Sequence, residues 1–422
     1  MLNSAKKNAK KIKALFVCDQ WCAGNPKFGL SEWEGGLIGS LRSTDLADID
    51  VFHFDAYYEE HHERGDAALL THIASSRPGV ICLVLYKMPG SDVNVLKWET
   101  LDAIKNVYQI PMVAIWGDLE NPEQVTISRA LCPYVVVNAA TATVTSLARL
   151  HAPGQYIYMY MWVPRDPNIF HDWEGTRDID VSYLGTPKED RLTRITYLTS
   201  HGVPVTYTGG ERYRHLTTED YADMYRRSKI TLSFSRGMLG SHVINARPFE
   251  AMLCGAMVLE EAGAETPKLY GPFIDYVPYV SNKDLLEKAR YYLAHDDERK
   301  RIAQNGKNKT EILYSAKRFW SVLFDRTLGR ATEDMWGKIL PALYISSLPG
   351  FSWFQKIWLL WVDRLTLSKY GYLMYTYFHI LTDKWTWLTL VFKNLAFMRK
   401  ILQNILPQSA FNAIMRVKRK LF

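Results

Sequence analysis

The densest set of chemistry-bearing side chains lies between residues 233 and 255. It runs Ser233-Phe234-Ser235-Arg236, a short loop to Ser241-His242, then Asn245-Ala246-Arg247-Pro248-Phe249-Glu250-Ala251-Met252-Leu253-Cys254-Gly255. Pro248 suits a first helical turn, where its missing N–H had no intrahelical partner, so a helix is expected from Arg247. Unpaired N–H groups, the helix dipole and a guanidinium all favour an anion at such a start, and a diphosphate fits. Glu250, one turn in, can accept from ribose hydroxyls, while Arg236 and Asn245 line the approach. Arg247 and Glu250 are also three apart on one helix face, which equally suits a surface ion pair. The residue types alone leave both readings open.

Other candidates are sparser. Gly185 and Thr186 close a strand, where a Gly lets the backbone approach a phosphate; Arg191 is either a diphosphate ligand or helix surface. Gly35-Gly36, within Ser31-Glu32-Trp33-Glu34-Gly35-Gly36-Leu37-Ile38-Gly39, follows the first strand and opens a helix, although tight turns alone recruit Gly pairs. Trp116-Gly117-Asp118 ends a strand, making Asp118 a candidate general base or a helix cap. Asp48-Ile49-Asp50 and Asp178-Ile179-Asp180 resemble a metal-binding Asp-x-Asp, but both precede apolar runs and read as turn residues. His61-His62-Glu63 has no distant partner at metal spacing, so no metal site is expected. Asn308-Lys309-Thr310 matches a glycosylation sequon. Neither half carries a Gly-x-Gly-x-x-Gly after a strand, which disfavours a nicotinamide or flavin oxidoreductase.

These residues need elements to position them. Apolar runs at Ala14–Cys18, Ile49–Asp55, Val80–Tyr86, Pro111–Trp116, Tyr134–Asn138 and Tyr156–Met161 read as buried, non-alternating strands. After Trp162-Val163-Pro164-Arg165-Asp166-Pro167, whose prolines break regular structure, strands resume at Ile179–Leu184, Pro204–Tyr207, Ile230–Phe234 and Ala256–Glu260. Helices are expected over Glu189–Ser200, Thr218–Ser228, Arg247–Cys254 and Lys283–Ala294, and the charged run from Lys283 to Ala316 reads as solvated helix. The fold expected is α/β, with two Rossmann-like domains (1–160 and 161–330) facing a cleft and a helical, aromatic and basic tail (331–422). Open α/β sheets bind ligands at the carboxyl ends of their strands, so the cleft is where the site belongs.

Charge is unevenly placed. Residues 340–422 hold 11 Lys/Arg against 2 Asp/Glu, while the rest hold 40 against 42. A basic appendage on a neutral body argues against nucleic acid as partner. That same stretch has 17 aromatics, including Trp353, Trp358, Trp361, Trp385 and Trp387, with Arg416, Lys418, Arg419 and Lys420 near the end. Rings beside cations suit a membrane interface with anionic lipid, or else the tail covers the two domains. Its uncharged stretches, Tyr370 to Thr382 among them, are all shorter than the roughly 18 apolar residues a membrane span needs. Cys18, Cys22, Cys82, Cys132 and Cys254 show no disulfide spacing, and the run after Lys6 to Lys13 is shorter than the roughly 7–15 residues of a signal-peptide core. A cytoplasmic protein, peripheral on the inner membrane face through its tail, is expected.

The string Arg247 to Leu259, preceded by Tyr225-Arg226-Arg227-Ser228-Lys229-Ile230-Thr231-Leu232-Ser233, resembles the donor-binding domain of group 1 glycosyltransferases. It is particularly similar to the spore-maturation-protein-like branch. The likeness extends to Asp178–Thr186, Val277–Leu286 and Asp297–Gly306, covering roughly 160–325. It implies the GT-B fold and transfer of a sugar from a nucleotide-diphosphate sugar to a glycan or lipid-linked acceptor hydroxyl, with no metal or other cofactor. In that family two glutamates stand eight residues apart, the second on the ribose. Glu250 matches the second; His242 stands at the first, where it could bind sugar or phosphate, act as acid/base or be incidental. The Gly35-Gly36 pair is similar to the family's Gly-Gly loop beside the transferred sugar. The departures leave two alternatives: a non-catalytic nucleotide- or glycan-binding scaffold, and a nucleotide-sugar epimerase.

Overall fold

The computed structural model describes residues 11–85, 89–116, 131–132, 134–137, 157–158, 164–185, 187, 189–209, 216–234, 245–263 and 266–330. Among them are two sheets, both parallel throughout. The first comprises β1 (Ile12–Cys18), β2 (Ala47–His53), β3 (Val80–Leu85), β4 (Met112–Trp116), β5 (Tyr134–Val137) and β6 (Ile157–Tyr158), in the order β2-β1-β3-β4-β5-β6. The second comprises β7 (Ile179–Tyr183), β8 (Val205–Tyr207), β9 (Ser228–Ser233), β10 (Met257–Glu261) and β11 (Val277–Tyr279), in the order β11-β10-β9-β7-β8. In each sheet the strand order reverses beside the first strand. Such a switch point leaves a crevice at the carboxyl edge, between β1 and β3 and again between β7 and β9.

Strands β3 and β4 are apolar and buried throughout because helices cover both faces of the sheet. On β1, Leu15 and Val17 pack with Leu69 and Ile73 of α3 (Asp66–Ser76) and with Leu101 of α4 (Trp98–Ala103). Ala14, Phe16 and Cys18 point the other way, as the two-residue period requires, toward Leu41 of α1 (Gly39–Arg42). In the second sheet, Val181, Ile230 and Leu259 pack under Ile195 and Leu198 of α5 (Glu189–Ser200) and Leu285 of α8 (Asn282–Ala294). The opposite face packs on Tyr225 of α6 (Thr218–Arg227) and on Phe249 and Met252 of α7 (Arg247–Leu253). A capping box starts α6: Thr217 Oγ1 accepts from the Asp220 N–H, and the Asp220 carboxylate accepts from the Thr217 N–H.

Four expectations need correction. Asp48 and Asp50 lie inside β2, and Asp180 lies inside β7. Asp50 pairs with His72 at 2.5 Å and Asp180 with Lys229 of the neighbouring strand β9 at 2.5 Å, while Asp178, just before β7, is held by both Nε and Nη2 of Arg227. The strand β11 was not expected, because Pro278 interrupts its donors; it survives as an edge strand, where a missing N–H costs no ladder partner. The run from Lys283 to Ala316 is not solvated throughout. It forms α8 and α9 (Asp296–Leu313), and α9 buries Arg299, Ile302, Asn305, Gly306, Lys309 and Thr310, so the sequon threonine is inaccessible. Buried Lys309 is paired with buried Asp275 at 3.2 Å.

The fourth difference is α10 (Ala316–Thr327), a helix that follows the second sheet in sequence but shares a core with the first. Its Ser315 cap accepts from the Arg318 N–H, and its Phe319, Trp320, Leu323 and Phe324 are buried. Trp320 meets Phe16 of β1 edge-on at 5.7 Å and donates its indole N–H to Ser40 Oγ at 2.9 Å. The sequence range 161–330 therefore ends in a helix that belongs, by packing, to the first sheet.

Candidate active site

The site is built where β7 and β9 part. Leaving β7, the chain turns at Gly185 with φ +133°, a conformation that favours glycine, and its N–H is taken by Thr208 Oγ1 at 2.7 Å. A Cβ there would stand 3.3 Å from both Arg247 Nη1 and Tyr183 Oη, so the absence of a side chain also makes room for Arg247. Gly185 thus serves the site by its shape; its N–H is already engaged. Leaving β9, the Phe234 carbonyl accepts from Arg247 Nη2 at 3.2 Å and from Asn245 Nδ2 at 3.5 Å. Asn245 in turn accepts from the Arg247 N–H at 3.0 Å, which fixes the first residue of α7. The guanidinium lies 5.6 Å from the Tyr183 ring, within cation–π range, and its Nε is buried without a partner among the described residues. Arg191 is not plain helix surface: its Nη1 donates to Tyr183 Oη at 3.0 Å.

Glu250 lies one turn further on, 5% exposed. It is not paired with Arg247, which excludes the surface ion pair. Arg165 Nε donates to Oε1 at 2.7 Å and the Tyr225 hydroxyl donates to Oε2 at 3.0 Å. Burial pushes the Tyr225 phenol well above its ordinary range, and Tyr221 and Glu250 add to this, so it remains a donor. Burial works against the Arg165 charge too, but the Glu250 and Glu32 carboxylates outweigh it and the guanidinium is held protonated. One carboxylate with two fixed donors keeps a single orientation and still has lone pairs for hydroxyl donors.

The first sheet meets this cluster through the π-helical turn Trp33–Ile38, which carries Gly35 and Gly36. Neither glycine has a positive φ. Their lack of side chains is explained instead by contact with the second half: a Cβ on Gly35 would fall 2.7 Å from Thr218 Oγ1, and one on Gly36 would fall 2.8 Å from Arg165 Nη1. Behind the turn, buried Asp55 accepts from the N–H groups of Gln20 and Trp21 at 2.7 and 3.0 Å and shapes the chain leaving β1.

Of the residues singled out from sequence, Gly185, Arg191, Asn245, Arg247 and Glu250 gather around β7, β9 and α7, and Gly36 reaches them through Arg165. Asp118, Thr186, Arg236 and His242 lie outside the described residues, as does the tail from residue 331. Sequence reasoning missed Tyr183, Tyr225 and Arg165. The tyrosines were hidden in apolar periodicity; Arg165 left one sign, a charged residue between Pro164 and Pro167 in the connection between the sheets. Among the described residues no group of His, Cys, Asp and Glu is placed to hold a metal ion.

Residues 178–323 match the sequence model of a family described as glycosyl transferase-like. No curated protein sequence matches the chain. Among solved structures, Anabaena HepE in complex with UDP superposes with a TM-score of 0.51 at 12% identity, covering 75% of this chain and 100% of that one. The same protein with UDP-glucose gives 0.50 at 14% identity, over 75% and 99%. The family match contains β7 to β11 with Tyr183, Gly185, Arg191, Tyr225, Asn245, Arg247 and Glu250, at the level of the family rather than of a branch, while Arg165, Gly35 and Gly36 precede it. Residues 178–323 thus form a domain of the glycosyl transferase-like family, in a chain whose paired parallel sheets have the GT-B glycosyltransferase fold.

Proposed function

We propose that the protein transfers a sugar from a nucleoside-diphosphate sugar to an acceptor hydroxyl, on a glycan or a lipid-linked glycan. The observation that carries this reading is the convergence of Gly185, Arg247 and Glu250 at the carboxyl edge of β7 and β9, inside the family-matched domain. Arg247 offers the diphosphate a half-buried cation whose buried Nε–H has no partner among the described residues, and it needs no reorganisation as negative charge develops on the leaving oxygen. Glu250, already oriented, accepts from the ribose hydroxyls. Asp118 is the proposed general base toward the acceptor, with His242 toward the sugar or phosphate. Side-chain stabilisation of the leaving group makes the reaction independent of a metal. The structural neighbour that holds UDP and UDP-glucose favours a uridine nucleotide as the first donor to try. The basic aromatic tail supports work at an anionic membrane surface on the cytoplasmic side.

The test is thermal unfolding of the purified protein against UDP-, GDP-, dTDP- and CMP-sugars. A donor at about 100 times its Kd adds roughly 2.7 kcal/mol to stability. A selective stabilisation that disappears in Glu250→Ala, together with release of free nucleoside diphosphate only when a glycan acceptor is supplied, is the expected result. Stabilisation by no donor, or an equal one in Glu250→Ala, would overturn it.

A further inference from the structure

We infer that Arg165 is a positioning residue of the nucleotide site: it fixes the Glu250 carboxylate and ties it to the Gly35-Gly36 turn of the first sheet. The inference rests on the donor-site reading of Glu250 and assigns a role to a residue outside that site's ligand set. Arg165 sits in the connection between the two sheets, and its side chain is 4% exposed. Each face of its guanidinium region has a separate duty. Nε donates to Glu250 Oε1 at 2.7 Å, Nη2 stands 3.8 Å from Glu32 Oε2, and Nη1 occupies the space a side chain on residue 36 would need. The Phe170 ring, 5.9 Å from the guanidinium carbon, flanks it.

A planar guanidinium can serve three neighbours in fixed directions, which an ammonium cannot. Among the described residues Arg165 is the cation in ion-pair contact with Glu250, Arg247 acting on it only through its charge, and a buried carboxylate that loses such a contact loses its fixed orientation. Its readiness for a ribose therefore depends on a residue supplied by the inter-sheet connection. Because the same side chain abuts Gly36, the position of the first-sheet turn and the orientation of the nucleotide-binding carboxylate are coupled through one group. Gly36 is glycine for that reason, since its φ is not positive.

The test measures UDP affinity by calorimetry, well below the unfolding temperature, on wild type, Glu250→Gln, Arg165→Met, Arg165→Met/Glu250→Gln, Arg165→Lys and Gly36→Ala, the last also in the Arg165→Met background. Glu250→Gln and Arg165→Met should each weaken UDP roughly tenfold to a hundredfold, the value of a charge-assisted hydrogen bond. The double variant should bind no more weakly than the worse single one, and Arg165→Lys should recover part of the loss. Gly36→Ala should weaken UDP in the wild-type background and have no effect in Arg165→Met. Should Arg165→Met fail to fold, the double variant leaves no buried charge unpaired, and Arg165→Lys retains the cation, so the comparison stands.

An Arg165→Met protein with a lowered Tm but wild-type UDP affinity would reduce Arg165 to a structural ion pair and overturn the inference. Additive losses in the double variant would do the same. If Glu250→Gln itself binds UDP like wild type, the donor-site reading falls, and that result is recognisable because it does not depend on Arg165.

Discussion

Replacing Trp320 by Ala should loosen the docking of α10 on the first sheet. The indole is fully buried, with ring centroids of Phe16, Phe319 and Phe324 at 5.7, 5.0 and 5.6 Å, and its N–H is 2.9 Å from Ser40 Oγ. Removing a buried Trp typically costs about 3–5 kcal/mol, through lost burial plus the cavity that aromatic neighbours only partly refill. The lost hydrogen bond adds little, because the Ser40 hydroxyl still donates to the Leu37 carbonyl at 2.6 Å. Trp320→Phe keeps most of the ring and should cost only about 1–2 kcal/mol, from the missing N–H and the smaller volume. At roughly 2–4 °C per kcal/mol for a large domain, the Ala variant should melt about 6–20 °C lower and the Phe variant a few degrees lower. Calorimetry and urea unfolding followed by circular dichroism measure both. An Ala variant within about 1 kcal/mol of wild type would refute the packing of α10 against β1. A Phe variant as damaging as the Ala one would show that the cavity is not the main source of the loss.

Two further outcomes follow from charge and thiol environments. Burial tends to raise the Asp66 carboxyl, but the Lys97 N–H, the Thr100 hydroxyl and Arg64 bind its charged form and the net shift is downward. A depressed folded-state pKa stabilises the protein above the ordinary carboxylate range, and that contribution is lost as pH falls through the lowered value. Asp66→Asn should therefore flatten the acid limb of a Tm-versus-pH curve while lowering stability near neutrality; an unchanged acid limb would refute this. All five cysteines are free, and only Cys22 is exposed. Native iodoacetamide labelling followed by mass spectrometry should modify Cys22 alone. The reaction should be slow at pH 7, because partial burial, Glu32 and Asp19 raise its thiol pKa. Labelling of Cys82 or Cys254 under native conditions would contradict the packing of both sheets.

Much of this protein was legible in its sequence. Buried parallel strands must be apolar on both faces, so Val80–Leu85 and Met112–Trp116 announce themselves as unbroken runs. The Arg247-Pro248 start of α7 is equally local, since a missing N–H matters least in a first turn. Local chemistry could also nominate Arg247 and Glu250 as site residues, but it offered their mutual ion pair as an equal alternative. Choosing between these needed the partners of Glu250, and those are Tyr225, 25 residues before it, and Arg165, 85 residues before it.

The same limit explains the errors. Asp48 and Asp50 looked like turn residues because a strand's edge partners are set by the neighbouring strand and helix. The charged run from Lys283 looked solvated because long cationic side chains are usually exposed, and only tertiary packing brought Asp275 to Lys309. Periodicity and propensity are properties of neighbours in the chain, so sequence by itself determined ten of the eleven strands, the helices α5 to α9 and the family of the second domain. Which glycine makes room for which guanidinium, which sheet α10 joins and which cation holds Glu250 are contacts between distant segments. Those were decided only when the two sheets came together.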